Sequence, residues 1–257
     1  MSKTFVSVEK ALDILTTFDF EHPEISAQEI SDRLSIPLSS VYKYLEILSR
    51  KGFLSKSPDS KKYILGLTIF QMLNVCIVGK KLIDIALSEM ELLREETGET
   101  IYLTVPKGWE VMCLEKVDSK RLIKLSINRG ETKPIYAGAD GKVVLAYQDQ
   151  SFIEEFCEVV TFQKFTENTP VDCDQLLEQI ETIREHGFAY SDSELDEGAI
   201  AVAAPIFDHK KKLAAVLAIA GPKDRGSDAK VSRWAELVME KSQKISRNLG
   251  FRGRKIT

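Results

Sequence analysis

Residues 25–65 read ISAQEISDRLSIPLSSVYKYLEILSRKGFLSKSPDSKKYIL, and this stretch decides the fold. Ser26 and Glu29 stand at capping-box spacing, and Ile30 and Leu34 lie four apart, so a helix is expected from about Ala27 to Leu34. The Ile36-Pro37 step ends it, because a residue before proline is pushed out of the helical region. Ser39 or Ser40 is expected to cap a second helix. There Val41, Leu45 and Leu48 fall at i, i+4 and i+7, and Gly52 supplies the stop. Ser39, Lys43, Glu46 and Arg50 then point outward. Residues 53–56 and 62–65 flank Ser57-Pro58-Asp59-Ser60-Lys61, a strand, turn and strand whose tip carries Lys61 and Lys62.

Two short helices beside such a wing are the arrangement that presents a probe to the DNA major groove. The first turn of the second helix carries Ser39 and Ser40, with Tyr42 and Lys43 following. These short hydroxyls and the ammonium suit phosphates and base edges. A plain helical hairpin with a solvated charge run is the alternative for the helix pair alone.

Charge is distributed to match. The 257-residue chain has a formal net charge of -4, so it carries no uniformly basic coat, and any DNA contact must be local. Residues 33–62 hold seven basic side chains against Glu46 and Asp59, while residues 9–32 are acidic. The length suffices for two cored domains. Cys76, Cys113, Cys157 and Cys173 are widely spaced, form no C-x-x-C, and are expected to be reduced and buried. Met1-Ser2-Lys3-Thr4-Phe5 lacks the apolar core of a signal peptide and no run is long enough for a membrane span, so a cytoplasmic protein is expected.

Further along, Val8, Ala11, Leu12, Leu15 and Phe18 make an apolar stripe, predicting a helix over residues 8–18 that covers the helix pair. The wing closes a domain over residues 1–66. Residues 67–98 read as linker helices, apolar enough at 67–78 to expect packing on a partner subunit or the next domain, with homodimerisation the natural reading. From residue 99 to 257 the pattern turns β-rich. Strands are expected at 100–105, 111–117, 122–127, 200–207 and 213–220, with helices at 138–147, 175–186 and 230–249, which argues for an α+β sheet domain.

His22, His186 and His209 are isolated, and neither G-x-S-x-G nor H-E-x-x-H occurs, so no catalytic residue, metal site or cofactor is expected. Gly138-Ala139-Asp140-Gly141-Lys142 fits no phosphate-loop pattern. It reads as a glycine-rich turn opening a helix, either an ordinary helix start or a place where free N–H groups receive a small anion.

Taken whole, the chain resembles the IclR-type transcriptional regulators. The likeness runs from Val8-Glu9-Lys10-Ala11-Leu12 to Ile245-Ser246-Arg247-Asn248-Leu249-Gly250. It is most specific at Gly98-Glu99-Thr100, at Ala137-Gly138-Ala139-Asp140-Gly141-Lys142, and where Gly187, Ser191, Glu194, Ala201, Val202, Ala203, Ile206, Phe207 and Asp208 keep the family's spacing. The resemblance implies an N-terminal winged helix-turn-helix joined by a linker helix to a GAF-like α+β effector-binding domain. It also implies a homodimer or dimer of dimers that binds a double-stranded DNA operator and responds to a small-molecule effector. By position, the DNA contacts fall on Ser39, Ser40, Tyr42 and Lys43. Arginine is common where Lys43 stands, and lysine keeps the charge without the bidentate fork, favouring phosphate over guanine.

The pocket positions implied are Leu122, Leu125, Ala139, Asp140, Ser191, Ala199, Ala201, Ala218 and Ala220. Relatives that bind small keto acids tend to supply a cysteine at Ala201 and serines at Ala218 and Ala220, and a small apolar residue at Asp140. Here only methyls are offered, and Asp140 sets a negative charge where an acid would approach. The expected effector is therefore apolar, neutral or cationic, unless Asp140 itself occupies the helix N-terminus or faces solvent. A sensory or scaffolding protein whose winged helix binds protein partners is the second reading, and a small-molecule enzyme the third.

Overall fold

The computed structural model describes residues 3–19, 21–75 and 77–253. Two compact units divide at Lys80 and Lys81. In the first, α1 (Lys3–Thr16), α2 (Ala27–Leu34) and α3 (Leu38–Arg50) precede an antiparallel ribbon, β1 (Leu54–Lys56) and β2 (Tyr63–Leu65), and α4 (Leu67–Val75) follows. The capping box forms as the sequence predicts. Glu29 N–H donates to Ser26 Oγ at 3.2 Å, and Ser26 N–H donates to Glu29 Oε2 at 2.7 Å. Ser35, at φ 51°, ends α2 just before the Ile36-Pro37 step.

Two local expectations are corrected. The cap of α3 is Pro37, not Ser39 or Ser40: the Pro37 carbonyl receives the N–H groups of Ser40 and Val41 at 2.8 and 3.1 Å. Proline's fixed φ makes the turn by itself, and the serines become the second and third helical residues. On α1 the buried residue is Ile14, with Leu15 and Phe18 beside it, whereas Val8 and Leu12 are each 57% exposed. This helix reaches the core only by its C-terminal half, where Ile14 joins Ile25, Ile30, Val41, Leu45 and Leu54.

The wing is tied to the segment before α2 by a single antiparallel bridge, in which Ile25 and Tyr63 exchange backbone hydrogen bonds of 3.0 and 2.8 Å. Glu24 fixes its turn by accepting from the Ser57 and Ser60 hydroxyls at 2.8 and 2.9 Å. Gly66 is required by close approach, since a Cβ there would lie 2.2 Å from the Gly52 carbonyl oxygen.

The helix α5 (Ile77–Thr97) crosses the division and leads into the second unit. There β3 (Thr100–Lys107), β4 (Glu110–Val117), β5 (Thr132–Pro134), β6 (Ala189–Asp192), β7 (Ala199–Phe207) and β8 (Leu213–Pro222) form one antiparallel sheet in the order β5-β4-β3-β8-β7-β6. Period-two alternation sorts its residues. Ile101, Leu103, Ile200, Val202, Leu217 and Ile219 face Met90 and Leu93 of α5 and Trp234, Val238 and Ile245 of α9 (Asp228–Asn248). Tyr102, Ala203, Ala218 and Ala220 face the other way, toward α6 (Ala139–Ala146), α7 (Gln150–Val159) and α8 (Cys173–His186).

Residues 122–127 form no strand. Side chains capture the backbone here: Thr100 Oγ1 donates to the Leu125 carbonyl at 3.4 Å and Arg225 Nη2 to the Ile123 carbonyl at 3.1 Å. The cysteine expectation is also corrected. Cys157 and Cys173 are joined in a disulfide, tying the end of α7 to the start of α8 with Cα atoms 5.9 Å apart. Cys113 is free and buried, and Cys76 lies outside the described residues.

Candidate DNA interface and ligand cavity

α3 is amphipathic by construction. Val41, Leu45 and Leu48 are buried, which leaves Ser39, Tyr42, Lys43, Glu46 and Arg50 on the solvent face and Ser40 half-buried at its border. Because Pro37 makes the cap, neither serine hydroxyl is used for it. Lys61 is exposed at the wing tip. Lys62 is not a free tip residue, since its ammonium pairs with Glu29 Oε1 at 3.2 Å and ties the wing to α2. Hydrogen bonding to the carboxyl from the Ser26 backbone N–H and then the Ser26 side chain, followed by that pair, holds Glu29 down at about 2.

In the second unit a cavity of about 540 Å³ opens on the sheet face opposite α5 and α9. Its floor exists because the facing residues are small: Ala201 pairs with Ala220 and with Ser191 across three strands, and Tyr102 and Thr104 stand on β3 beyond them. Of the residues the family likeness nominates, Leu125, Ser191, Ala199, Ala201 and Ala220 line this space. Ala139, Asp140 and Ala218 are buried in the surrounding core without lining it, and Leu122, 103% exposed, turns away from it entirely. The sequence reading missed Tyr102, Thr104, Cys113, Lys133, Phe165 and Glu194. Strand alternation pointed to the first three, whereas Lys133, Phe165 and Glu194 arrive from an edge strand and loops that carry no periodic pattern.

Asp140 is neither solvent-facing nor a bare charge in the ligand's path. It sits in the first turn of α6, fully buried, where its Oδ1 receives the Tyr102 hydroxyl at 3.2 Å and pairs with Lys133 Nζ at 2.6 Å. Lys133 Nζ also lies 5.0 Å from the centre of the Tyr102 ring. Burial, and then the Asp140 charge, push the Tyr102 hydroxyl well above the usual phenol range, so it stays a donor. Burial likewise pushes the Cys113 thiol up to about 12, which keeps this lining residue a neutral thiol at physiological pH. Two lining or adjacent polar atoms have no partner: Thr104 Oγ1 and Asp140 Oδ2.

A second buried carboxylate braces the same helix start. Glu194 Oε2 receives the Gly138 N–H at 2.9 Å, and its Oε1 pairs with Lys142. Gly138 has φ 83°, a conformation that glycine adopts without strain. The Lys142 ammonium is further held by Gln179 Oε1 at 2.8 Å and the Tyr190 carbonyl at 3.1 Å.

A winged helix with a polar, lysine-bearing probe and a separate α+β unit enclosing a small-molecule cavity together define a DNA-binding regulator with an effector domain. The model of the IclR helix-turn-helix domain matches residues 7–58, and that of the bacterial transcriptional regulator IclR C-terminal domain matches residues 76–247. The chain belongs to the IclR family of bacterial transcriptional regulators. It is 29% identical over 245 residues to the HTH-type transcriptional regulator KdgR of Escherichia coli K12, covering 95% of this chain and 93% of the relative. The fold also matches an IclR transcriptional regulator from Silicibacter sp. TM1040, with a TM-score of 0.86, 22% identity and coverage of 97% and 98% of the two chains. An IclR homologue from Microbacterium hydrocarbonoxydans, solved in complex with 4-hydroxybenzoate, matches with a TM-score of 0.85 at 20% identity, covering 95% of this chain and 98% of that one. No described helix is long and apolar enough to cross a membrane.

Proposed function

We propose that this regulator acts in the cytoplasm as a homodimer or dimer of dimers and places α3 of two protomers in successive major grooves of an operator. Ser39, Ser40, Tyr42 and Lys43 contact DNA in this reading, Lys61 reaches a phosphate from the wing, and Lys62 serves the wing's own stability through Glu29. The observation that carries it is the division of α3 into a buried Val41, Leu45 and Leu48 face and an exposed serine-lysine face. Dimerisation is supported by exposed apolar residues on α1 and α4, namely Val8, Leu12, Leu67, Met72 and Leu73, whose coverage by a second copy would remove them from water. Recognition helices spaced one DNA turn apart, or a multiple of it, would read a near-palindrome.

The cavity is the effector site in this proposal, with Leu125, Ser191, Ala199, Ala201 and Ala220 in its wall. Leu122, Ala139 and Ala218 have no direct part in it, and Asp140 acts on it through Lys133. Occupancy shifts the dimer through the linker over residues 67–98, with a coupling of about 1 to 3 kcal/mol. No catalytic role is assigned to any residue. The test is selection of genomic fragments by purified protein, with and without a cell metabolite extract. Enrichment of a near-palindrome that changes with the extract supports the reading. Indifference between genomic and random duplex at moderate ionic strength rejects it.

A further inference from the structure

The lysines at this site and the Gly138 N–H at the start of α6 are each occupied by a carboxylate of the protein itself. Lys133 and Lys124 are the two lysines in the cavity lining; the first pairs with Asp140 at 2.6 Å and the second with Asp118 at 3.3 Å. Asp140 also stands in the first turn of α6, where the helix dipole favours negative charge. The Gly138 N–H and the Lys142 ammonium are both held by Glu194. What remains open has the opposite character. Asp140 Oδ2 is a buried oxygen that only accepts hydrogen bonds, and it has no partner. Thr104 Oγ1, buried in the lining of the cavity, is likewise unpartnered. The Thr104 hydroxyl can donate or accept and so rewards any polar head group, whereas the fully buried Asp140 acts from behind the cavity wall by its negative charge, which disfavours a carboxylate.

Resting on the reading of this cavity as the effector site, we infer that Asp140 acts as a built-in stand-in for a ligand carboxylate, so that the site selects a non-anionic ligand presenting a hydrogen-bond donor. An added carboxylate would bring a further negative charge to a lysine already neutralised. A hydroxyl or amino group enters without that penalty and finds Thr104 Oγ1 beside it. Asp140 is thereby the residue that sets ligand class, acting through Lys133 from behind the cavity wall, and Thr104 supplies a hydroxyl that any polar head group can use.

Calorimetry on the full-length protein with benzoate, benzyl alcohol and benzylamine tests this, because the three share one ring and differ in the head group. For wild type, the alcohol or the amine is expected to bind at least about tenfold tighter than benzoate, and the stronger of the two identifies the donor. Asp140→Asn releases Lys133, so benzoate should gain at least about tenfold while the donor ligand weakens. Thr104→Val, nearly isosteric, should weaken every polar head group and leave the preference against benzoate in place, which separates the hydroxyl's general contribution from the charge effect of Asp140. Benzoate binding as tightly as both others, no binding of either donor at millimolar concentration, or a benzoate-to-donor ratio unmoved in Asp140→Asn would each overturn the inference. Ala201→Phe, which fills the cavity, separates the two levels. Donor binding that survives it rejects the cavity as the site, whereas binding that it abolishes without any donor preference rejects only the ligand class.

Discussion

Glu99 and Arg225, 126 residues apart in sequence, meet in a two-pronged ion pair: Arg225 Nε donates to Oε1 at 2.7 Å and Nη2 to Oε2 at 2.5 Å. Glu99 is buried at the start of β3, and Arg225 follows β8, so the pair staples two neighbouring strands where they leave the sheet. The same guanidinium holds the Ile123 carbonyl, and through it the irregular segment that ends at the cavity.

Arg225→Ala would leave a buried carboxylate without its main counter-charge. The expected cost is about 3 to 5 kcal/mol. Both tryptophans, Trp109 and Trp234, lie in the second unit, so urea denaturation followed by tryptophan emission reads this unit directly. A midpoint equal to wild type would mean that Arg121, 3.9 Å from Glu99, takes over the role.

Lys43 and Lys62 should behave differently although both are basic and near the recognition surface. Lys43→Ala is expected to weaken operator binding and flatten the salt slope by about one unit. Lys62→Ala should leave the slope unchanged while loosening the wing, since its ammonium is on Glu29. Titration of affinity against salt for the two variants distinguishes a phosphate contact from a structural one.

Glu29 links the first unit's stability to acid. Its folded value of about 2 lies below the ordinary 4.5, so the stabilisation is complete above about pH 4.5 and is lost as pH falls toward 2. Helicity measured across that window should decline less for Glu29→Gln, which starts without the charge. Ser26→Ala should cost about 1 kcal/mol at neutral pH.

The Cys157–Cys173 bond closes a loop of 16 residues, and in the chain-entropy picture such a crosslink is worth about 3 kcal/mol. Oxidised wild type should therefore melt higher than reduced wild type, and Cys173→Ser should melt at one temperature with or without reductant. A reductant effect persisting in that variant would place its origin elsewhere.

Where local spacing determined structure, the sequence was enough to read it. Ser26 and Glu29 announced α2, Val41, Leu45 and Leu48 announced the buried side of α3, and Gly187, at φ 77°, marked the end of α8. Features decided by distant partners were hidden. The apolar run at 122–127 resembles a strand, yet Thr100 and Arg225 claim its backbone from elsewhere in the chain. No spacing rule joins Cys157 to Cys173, and α7 and the short strands β5 and β6 gave no usable period. At the cavity, the small residues were legible through the family likeness, but the meaning of Asp140 was not, because its partners Tyr102 and Lys133 come from two other strands.

The methyl groups of Ala201 and Ala220 lie on central strands whose pairing does not depend on them. Exchanging one of them for a serine adds a single oxygen to the chamber and disturbs no crossing of the chain. Sensitivity to a new chemical signal can thus be acquired in this architecture by one-atom edits, with the apparatus that grips DNA inherited untouched.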